Sequence, residues 1–200
     1  MSYGPARGAE LWRAPELPRE GDDGRLANTP ASDMWSAGLV LYELLTGRLA
    51  YSPRRTGGGG HIDRPIADWA DRVKAGRSPE EVEPLPGIAP APLVHVMRAC
   101  IQRDPSARIS ATAAHALIVA PPSRASTSRA GAEDASAIIH SLHQGVSVEV
   151  AAAVEGLHSA PPPVVHVDIA ARNVLVDGEG GRTSWLANSD FGLARPVGRR

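Results

Sequence analysis

Residues 164–200, which read VVHVDIAARNVLVDGEGGRTSWLANSDFGLARPVGRR, decide how the rest of the sequence is interpreted. Three polar residues, His166, Asp168 and Asn173, follow the pattern H-x-D-x-x-x-x-N, and Asp190 opens the motif D-F-G further along. Any one of these residues is commonly found in a turn or at a helix cap. The two motifs in this order arise by chance on the order of one time in a thousand or less, so together they indicate a shared chemical role.

The chemistry that fits these residues is phosphoryl transfer. That reaction needs one carboxylate to accept or orient the proton of the acceptor hydroxyl, and a second carboxylate with an amide oxygen to hold Mg²⁺ on the phosphates. Asp168 suits the base, and Asn173 and Asp190 suit the metal. Short strands are predicted at Val174–Val176 and at about Ser184–Ala187, around the turn DGEGG. This β-hairpin would place the loops before and after it around one point.

The motifs resemble those of the protein kinases. HVDIAARNVLV (166–176) looks like the catalytic loop of that family, and DFGLAR (190–195) looks like its metal-binding motif. Near the start of the chain, WRAPEL (12–17) is similar to the A-P-E motif, SDMWSAGLVLYELLTG (32–47) to the buried central helix of the C-lobe, and CIQRDPSARIS (100–110) to a late C-lobe segment. Small-molecule kinases of the aminoglycoside-phosphotransferase type lack the A-P-E and D-x-W-S-x-G segments, so the resemblance favours the protein kinases.

The resemblance implies a role for each residue that matches a motif. Asp33 would bind the backbone of the catalytic loop, and Arg108 would pair with Glu16. The alternative for Glu16 and Arg108 is solvated surface charge. The residues that the resemblance assigns are His166, Asp168 and Arg172 as catalytic, Asn173, Asp190, Phe191 and Gly192 as cofactor-binding, Asn173 and Asp190 as metal-binding, and Glu16, Asp33, Trp35 and Arg108 as structural.

The two groups of motifs stand in reversed order along the chain. Residues 136–200 followed by residues 1–118 would restore the order of a kinase C-lobe, with one activation segment from D-F-G to A-P-E. Residues 119–135, which are small and polar, would then be a linker at a new join. The sequence therefore predicts a circularly permuted C-lobe, cut in an exposed loop of the kind that folds tolerate. The reversed order would also result from pieces of two successive kinase domains with the intervening N-lobe deleted, or from a faulty gene model.

The N-lobe features of the family are not found in these 200 residues. There is no G-x-G-x-x-G loop followed by a strand, and no V-A-I-K motif. Lys74 is the only lysine, and it stands in DRVKAGR within the C-lobe part. We therefore expect weak or absent binding of ATP and Mg²⁺, and no activity of the chain by itself. Val167 follows His166 where most of the family has Arg, which puts switching by activation-segment phosphorylation in doubt.

Three functions remain in view. The first is a protein kinase domain, ATP-dependent and acting on a protein Tyr, Ser or Thr. The features are mixed: Arg172 in AAR, Ala170 in place of a lysine, and Trp12 before RAPE resemble tyrosine kinases, whereas WSAGLVLYELLTG (35–47) looks more like serine/threonine kinases. Together they favour a tyrosine-kinase-like enzyme slightly. The second is a pseudokinase-like scaffold whose surface, uncovered where an N-lobe would lie, binds a partner. The third is a small-molecule phosphotransferase.

Composition supports an ordinary globular protein. A net charge of −1 does not suggest nucleic acid or an anionic membrane as a partner. One cysteine, Cys100, excludes an internal disulfide and favours a reducing compartment. No apolar run reaches the roughly 18 residues of a membrane span, and the first residues have no signal-peptide core. We expect a cytoplasmic protein.

The fold class predicted is mainly α, a kinase-like C-lobe with one small β-hairpin and no N-lobe. A buried helix is expected over 31–47, with Ser32 as N-cap and Gly47 as its stop. Further helices are expected within 64–77, 92–104 and 110–119. Two separate helices, 136–144 and 147–158, are expected before the catalytic loop. The residues of the second helix that are predicted to face inward are Val148, Ala152, Val154 and Leu157.

Overall fold

The fold is mainly helical in the part of the chain that the computed structural model describes. That part comprises residues 11–17, 28–52, 67–87, 89–120, 135–170, 174–179, 182–188 and 194–197. For residues 135–144, 174–179, 182–188 and 195 the description covers the backbone alone.

The central helix, α1 (Pro30–Thr46), is buried on nearly all sides. Its N-cap is Thr29, and the prediction of Ser32 was wrong. Thr29 accepts a hydrogen bond from the Ser32 N–H, and the Ser32 hydroxyl oxygen accepts one from the Thr29 N–H, which forms a capping box. Gly47 ends the helix as predicted, with a φ of 66° that glycine adopts without strain.

Three shorter helices pack around this centre. They are α2 (Trp69–Lys74), α3 (Ala91–Cys100) and α4 (Ala111–Val119). Each lies inside or within one residue of a predicted helical range, and the Ser110 side chain caps α4. Where α1 crosses α3, Gly38 is required: a Cβ there would stand 2.7 Å from the Cys100 Cβ and 2.8 Å from the Ile101 Cγ1.

The long helix α5 (Ala135–His158) replaces the two helices predicted in this region. Gly145 does not interrupt it. The face that α5 buries is formed by Val146, Val150 and Val154, spaced four residues apart, and packs toward α1 and α4. Of the predicted inward residues only Val154 is fully buried.

The strands form two small antiparallel pairs. β2 (Val174–Glu179) and β3 (Arg182–Asn188) make the hairpin expected from the sequence, with longer strands than predicted. β1 (Val164–Val165) pairs with β4 (Arg195–Pro196), so the chain just before His166 lies against the chain after the D-F-G motif. Among the helices of the described residues, none combines the length and the hydrophobicity of a membrane span.

Candidate active site

The segment that begins at His166, which the sequence predicts to be the catalytic loop, is held by Asp33, from the first turn of α1. The Asp33 carboxylate, which is 2% exposed, accepts hydrogen bonds from the backbone N–H of His166 at 2.7 Å and of Val167 at 3.0 Å. The Nε2 of His158, at the end of α5, lies 3.2 Å from the same carboxylate. A buried carboxylate is stabilised by such donors, and each charge-assisted hydrogen bond is stronger than a neutral one. Residues far apart in the sequence therefore meet at one carboxyl group.

The backbone at Val167 is strained. Its φ is 74°, in the left-handed region that β-branched residues rarely occupy. Such a conformation costs of order 1–3 kcal/mol and persists only when its surroundings impose it. The two hydrogen bonds to Asp33 meet that condition, since they fix the amides of His166 and Val167 on one carboxylate. The peptide that leads into Asp168 is thereby oriented.

Asp168 itself is mostly buried, with 7% of its surface exposed. Its backbone N–H donates to the Nδ1 of His166 at 3.4 Å, and His166 is fully buried. The structure thus brings Asp33, His166 and Asp168 together. The other residues predicted for nucleotide and metal, and Arg172, lie outside the described residues: Arg172, Asn173, Asp190, Phe191 and Gly192.

The strand pairing of the hairpin is relevant to Asn173 and Asp190, because both are joined to the hairpin in the sequence. Val174, the first residue of β2, pairs with Asn188, the last residue of β3. Asn173 precedes β2 directly in the sequence, and Asp190 follows β3 after one residue. Both are therefore attached at the same end of the hairpin.

A second group of polar residues surrounds Arg108. Its guanidinium makes a bidentate ion pair with Glu16, with both N–O distances 2.7 Å. The same group donates to three backbone carbonyls, of Ala31, Gln102 and Arg103. All five guanidinium N–H donors are used, which suits a side chain with no exposed surface.

Arg108 also connects to the central helix. Its Cζ lies 5.3 Å from the ring centroid of the buried Trp35, an arrangement that is typical of a cation–π contact. Trp35 is two residues after Asp33 on α1. The first turns of this one helix therefore contact both the catalytic-loop segment and the Glu16–Arg108 pair.

Sequence reasoning missed several functional contacts. His158 was not singled out, because it is one of several polar residues in its helix and belongs to no motif. Ser36 was also missed: its hydroxyl donates to the Trp12 carbonyl at 2.7 Å, which positions the segment before Ala14-Pro15-Glu16.

Cys100 is not a nucleophile, because burial raises the pKa of its thiol to about 12.

The comparison with known protein families agrees with this geometry. The family model described as the protein kinase domain matches residues 3–118, more than half of the chain. The chain belongs to the protein kinase domain family. The matched region carries Glu16, Asp33, Trp35 and Arg108, and so includes the whole Glu16–Arg108 group, whereas the partners of Asp33 at residues 158, 166 and 167 lie outside it.

Two relatives of this chain are themselves named as kinases. Over 103 residues the chain is 32% identical to the serine/threonine-protein kinase RUNKEL of Arabidopsis thaliana. It is 33% identical, also over 103 residues, to mitogen-activated protein kinase kinase kinase 10 of Xenopus laevis. Each match covers 52% of this chain but only 6% and 8% of the two relatives. The chain therefore corresponds to less than a tenth of the length of either kinase.

Proposed function

We propose that the chain provides the C-lobe half of a protein kinase site, which transfers the γ-phosphoryl group of ATP to a protein hydroxyl. The observation that carries the proposal is the bidentate contact of Asp33 with the amides of His166 and Val167. It joins the kinase-matched part of the chain to the loop that holds Asp168. The Asp168 carboxylate would accept or orient the proton of the acceptor hydroxyl.

The residue types present fit a nucleotide-bound magnesium ion. The chain offers one amide oxygen, Asn173, and one carboxylate, Asp190, which are ligand types that Mg²⁺ prefers. The pairing of Val174 with Asn188 supports their convergence, since both are attached at that end of the hairpin. When bound, Mg²⁺ neutralises charge on the phosphates. Arg172 would steady the acceptor, and Phe191 and Gly192 would complete the D-F-G segment.

We further propose that the chain is circularly permuted, with residues 136–200 preceding residues 1–118 in the order of a kinase C-lobe and residues 119–135 as the linker. Two contacts support this order, because each joins the two parts. Asp33 holds the amides that precede Asp168, and His115 Nδ1 on α4 lies 2.5 Å from Glu155 Oε2 on α5. Both parts then contribute to a single lobe.

The features that bear on the acceptor residue are divided between serine or threonine and tyrosine. The name of one relative, the serine/threonine-protein kinase RUNKEL of Arabidopsis thaliana, favours serine or threonine. Ala170, which is fully buried where serine/threonine kinases carry a lysine, and Arg172 favour tyrosine. Peptides that differ only in one Ser, Thr or Tyr distinguish these acceptors.

The test supplies a phosphate-binding lobe. An N-terminal kinase lobe with a glycine-rich loop and its strand lysine is inserted into residues 119–135, and phosphate transfer from Mg·ATP to the three peptides is measured. Transfer is expected from the fusion, with loss of at least about 100-fold in Asp168→Asn, because a positioned base contributes roughly 10²–10⁴-fold. Lys74→Arg, at an exposed residue of α2, is the matched control and should keep full activity. A folded fusion that binds Mg·ATP but has equal rates with and without Asp168 would refute the proposal.

A non-catalytic scaffold is the second candidate. It is favoured by the sequence, in which Lys74 is the only lysine, and by the position of that lysine on the exposed side of α2. On this view a partner protein covers the surface where an N-lobe would lie. The 200-residue chain alone should then show no transfer, and transfer that Asp190→Asn abolishes would contradict it.

A further inference from the structure

Helix α4 carries apolar side chains on its outer side as well as on its inner side. Its sequence, ATAAHALIV, has no Asp, Glu, Lys or Arg, and its polar residues are Thr112 and His115. Leu117 is 41% exposed and Val119 is 53% exposed. A helix that is apolar all round has no hydrophobic stripe to decide which side it buries. Interactions other than burial therefore select the side of α4 that packs.

The buried side of α4 is repeated one residue earlier in the sequence. The side chains that α4 buries, each at most 2% exposed, are those of Ala111, Ala114 and Ile118. The residues directly before them are Ser110, Ala113 and Leu117. A rotation of about 100° with an axial shift of about 1.5 Å moves each residue of a helix into the place of the next one. We call the arrangement in the structure the observed setting, and the rotated arrangement the alternative setting.

The two settings bury nearly the same apolar surface. In the alternative setting Ala113 would replace another alanine, and Leu117 would replace its isomer Ile118. Because hydrophobic stabilisation follows the apolar area removed from water, these two exchanges are close to neutral. Ser110 would replace Ala111 and add one hydroxyl group to the buried side, which favours the observed setting.

A rotation in the opposite direction is not equivalent. It would place His115 in the space of Ala114, which is 1% exposed. An imidazole buried there without a partner is unfavourable. Matching chemistry therefore exists for one alternative setting of α4.

The space beneath α4 is not completely filled. A cavity of about 20 Å³ lies between α1, α3, α4 and α5, and Met34, Cys100, Ile118 and Val150 are among the residues that line it. Leucine and isoleucine differ in where they branch, and such exchanges are tolerated where the neighbours can repack. The cavity and the flexible side chain of Met34 provide room for that repacking.

The contact of His115 with α5 distinguishes the two settings. The His115 Nδ1 lies 2.5 Å from the Glu155 Oε2, and the two side chains are 30% and 26% exposed. In the alternative setting Ala114 would face Glu155, and this contact would be lost. Polar contacts between helices are best known for fixing their register.

We propose that α4 has two packed rotational settings of similar burial, and that the His115–Glu155 contact selects the observed one. Loss of the contact lets α4 rotate by one residue, which exposes Ile118 and buries Leu117. Small shifts and rotations of packed helices are a common form of conformational switch. This device does not depend on the proposed kinase activity.

The chain before α4 stays in place during the rotation. Arg108 is held by its ion pair with Glu16, and the Ile109 N–H donates to the Ala99 carbonyl at 3.1 Å. The change in backbone conformation is therefore absorbed at Ser110, which lies between these contacts and the first turn of α4.

An exchange variant, Ala114→His with His115→Ala, tests the proposal. In the observed setting this variant buries an imidazole and lacks the contact with Glu155. In the alternative setting its imidazole stands in the place that His115 occupies in the unmodified chain and faces Glu155. We therefore expect the exchange variant to adopt the alternative setting.

Thiol labelling measures the rotation. Leu117→Cys and Ile118→Cys are each prepared in a Cys100→Ala chain, with and without the exchange. Without the exchange, the thiol at position 117 should react at least about 10-fold faster than the thiol at position 118, because Leu117 is 41% exposed and Ile118 is 1% exposed. With the exchange, the thiol at position 118 should be the faster one by a similar factor.

Two controls separate rotation from loosening. Cys100 is the only cysteine of the unmodified chain and has no exposed surface, so its labelling reports whether α4 still covers it. In the exchange variant its rate should stay within about 3-fold of that in the unmodified chain. His95→Ala, at an exposed residue of α3, should leave position 117 the faster site. The proposal is overturned if position 117 remains faster in the exchange variant, or if both positions and Cys100 become fast, because α4 then detaches instead of rotating.

Discussion

The ion pair of Arg108 with Glu16 should be among the strongest single polar contacts in the chain. Glu16→Gln preserves the shape of the side chain but leaves a guanidinium with no exposed surface without its counter-charge. Breaking a buried pair from one side costs roughly 3–5 kcal/mol. Because the Glu16 side chain is 24% exposed, we expect the lower end, about 3 kcal/mol.

Arg108→Met removes more than the ion pair. The carbonyls of Gln102, Ala31 and Arg103 lose their donor, and each buried acceptor left unpaired costs roughly 1–3 kcal/mol. The double variant no longer carries the Glu16 charge, so its destabilisation should be smaller than the sum of the single ones. We expect a coupling free energy of about 2 kcal/mol from the double-mutant cycle.

The assay is urea unfolding of the four proteins, followed by far-UV circular dichroism with equal m-values required. The control is the pair of Glu80 with Arg98, which is also bidentate, through Nε and Nη2, but has an Arg98 side chain that is 60% exposed. Its coupling should stay below about 1 kcal/mol and fall in 0.5 M NaCl, whereas the buried coupling should persist. Equal coupling for the two pairs would refute the reasoning from burial.

Two further predictions concern α1. Gly38→Ala should destabilise the fold by roughly 1–3 kcal/mol, because the new methyl group would stand 2.7 Å from the Cys100 Cβ. Gly156→Ala, with open space around the new methyl group, should stabilise the fold by up to about 1 kcal/mol. A Gly38→Ala variant as stable in urea as the Gly156→Ala variant would contradict the packing. The free energy of unfolding of Glu43→Gln, relative to that of the unmodified chain, should rise by about 2 kcal/mol between pH 5 and pH 8. The reason is that burial raises the pKa of the Glu43 carboxyl to about 7, so the ionised carboxyl destabilises the unmodified chain as the pH rises. Urea midpoints whose difference does not change with pH would contradict this.

Local signals in the sequence were sufficient for most of the helices. The end of α1 was predicted because Gly47 can adopt a left-handed conformation after an apolar run. The N-cap was misplaced by three residues, since Thr29 and Ser32 both fit an N-cap and only the reciprocal bonds decide between them.

The continuity of α5 could not be predicted in the same way. A glycine within a helix costs roughly 1 kcal/mol relative to alanine, so Gly145 favoured a break in the local pattern. The next residue, Val146, is buried and packs with Val150 against Leu44 of α1. That tertiary contact stabilises a helix through the glycine, and it adds Val146 and Val150 to an inward face that includes the predicted Val154.

The parts of the candidate site that stand in recognisable motifs could be predicted from the sequence. Glu16 and Arg108 stand in matching motifs, and the structure places them in contact. The contact of the Ala50 N–H with the Glu43 carboxyl group has no sequence signature, because neither residue belongs to a periodic pattern of polar residues. Such a contact depends on how whole segments pack, which spacing alone does not specify.

Asp33 on α1 holds the backbone at His166 and Val167, and the proposal that distant parts of the sequence form one site depends on this contact. NMR couplings across hydrogen bonds, measured from the Asp33 carboxyl carbon to backbone nitrogens, test the contact directly. Couplings to both His166 and Val167, whose N–O distances are 2.7 and 3.0 Å, and slow exchange of both amides are expected. Absence of both couplings, with the two amides exchanging as in an unfolded chain, would contradict it.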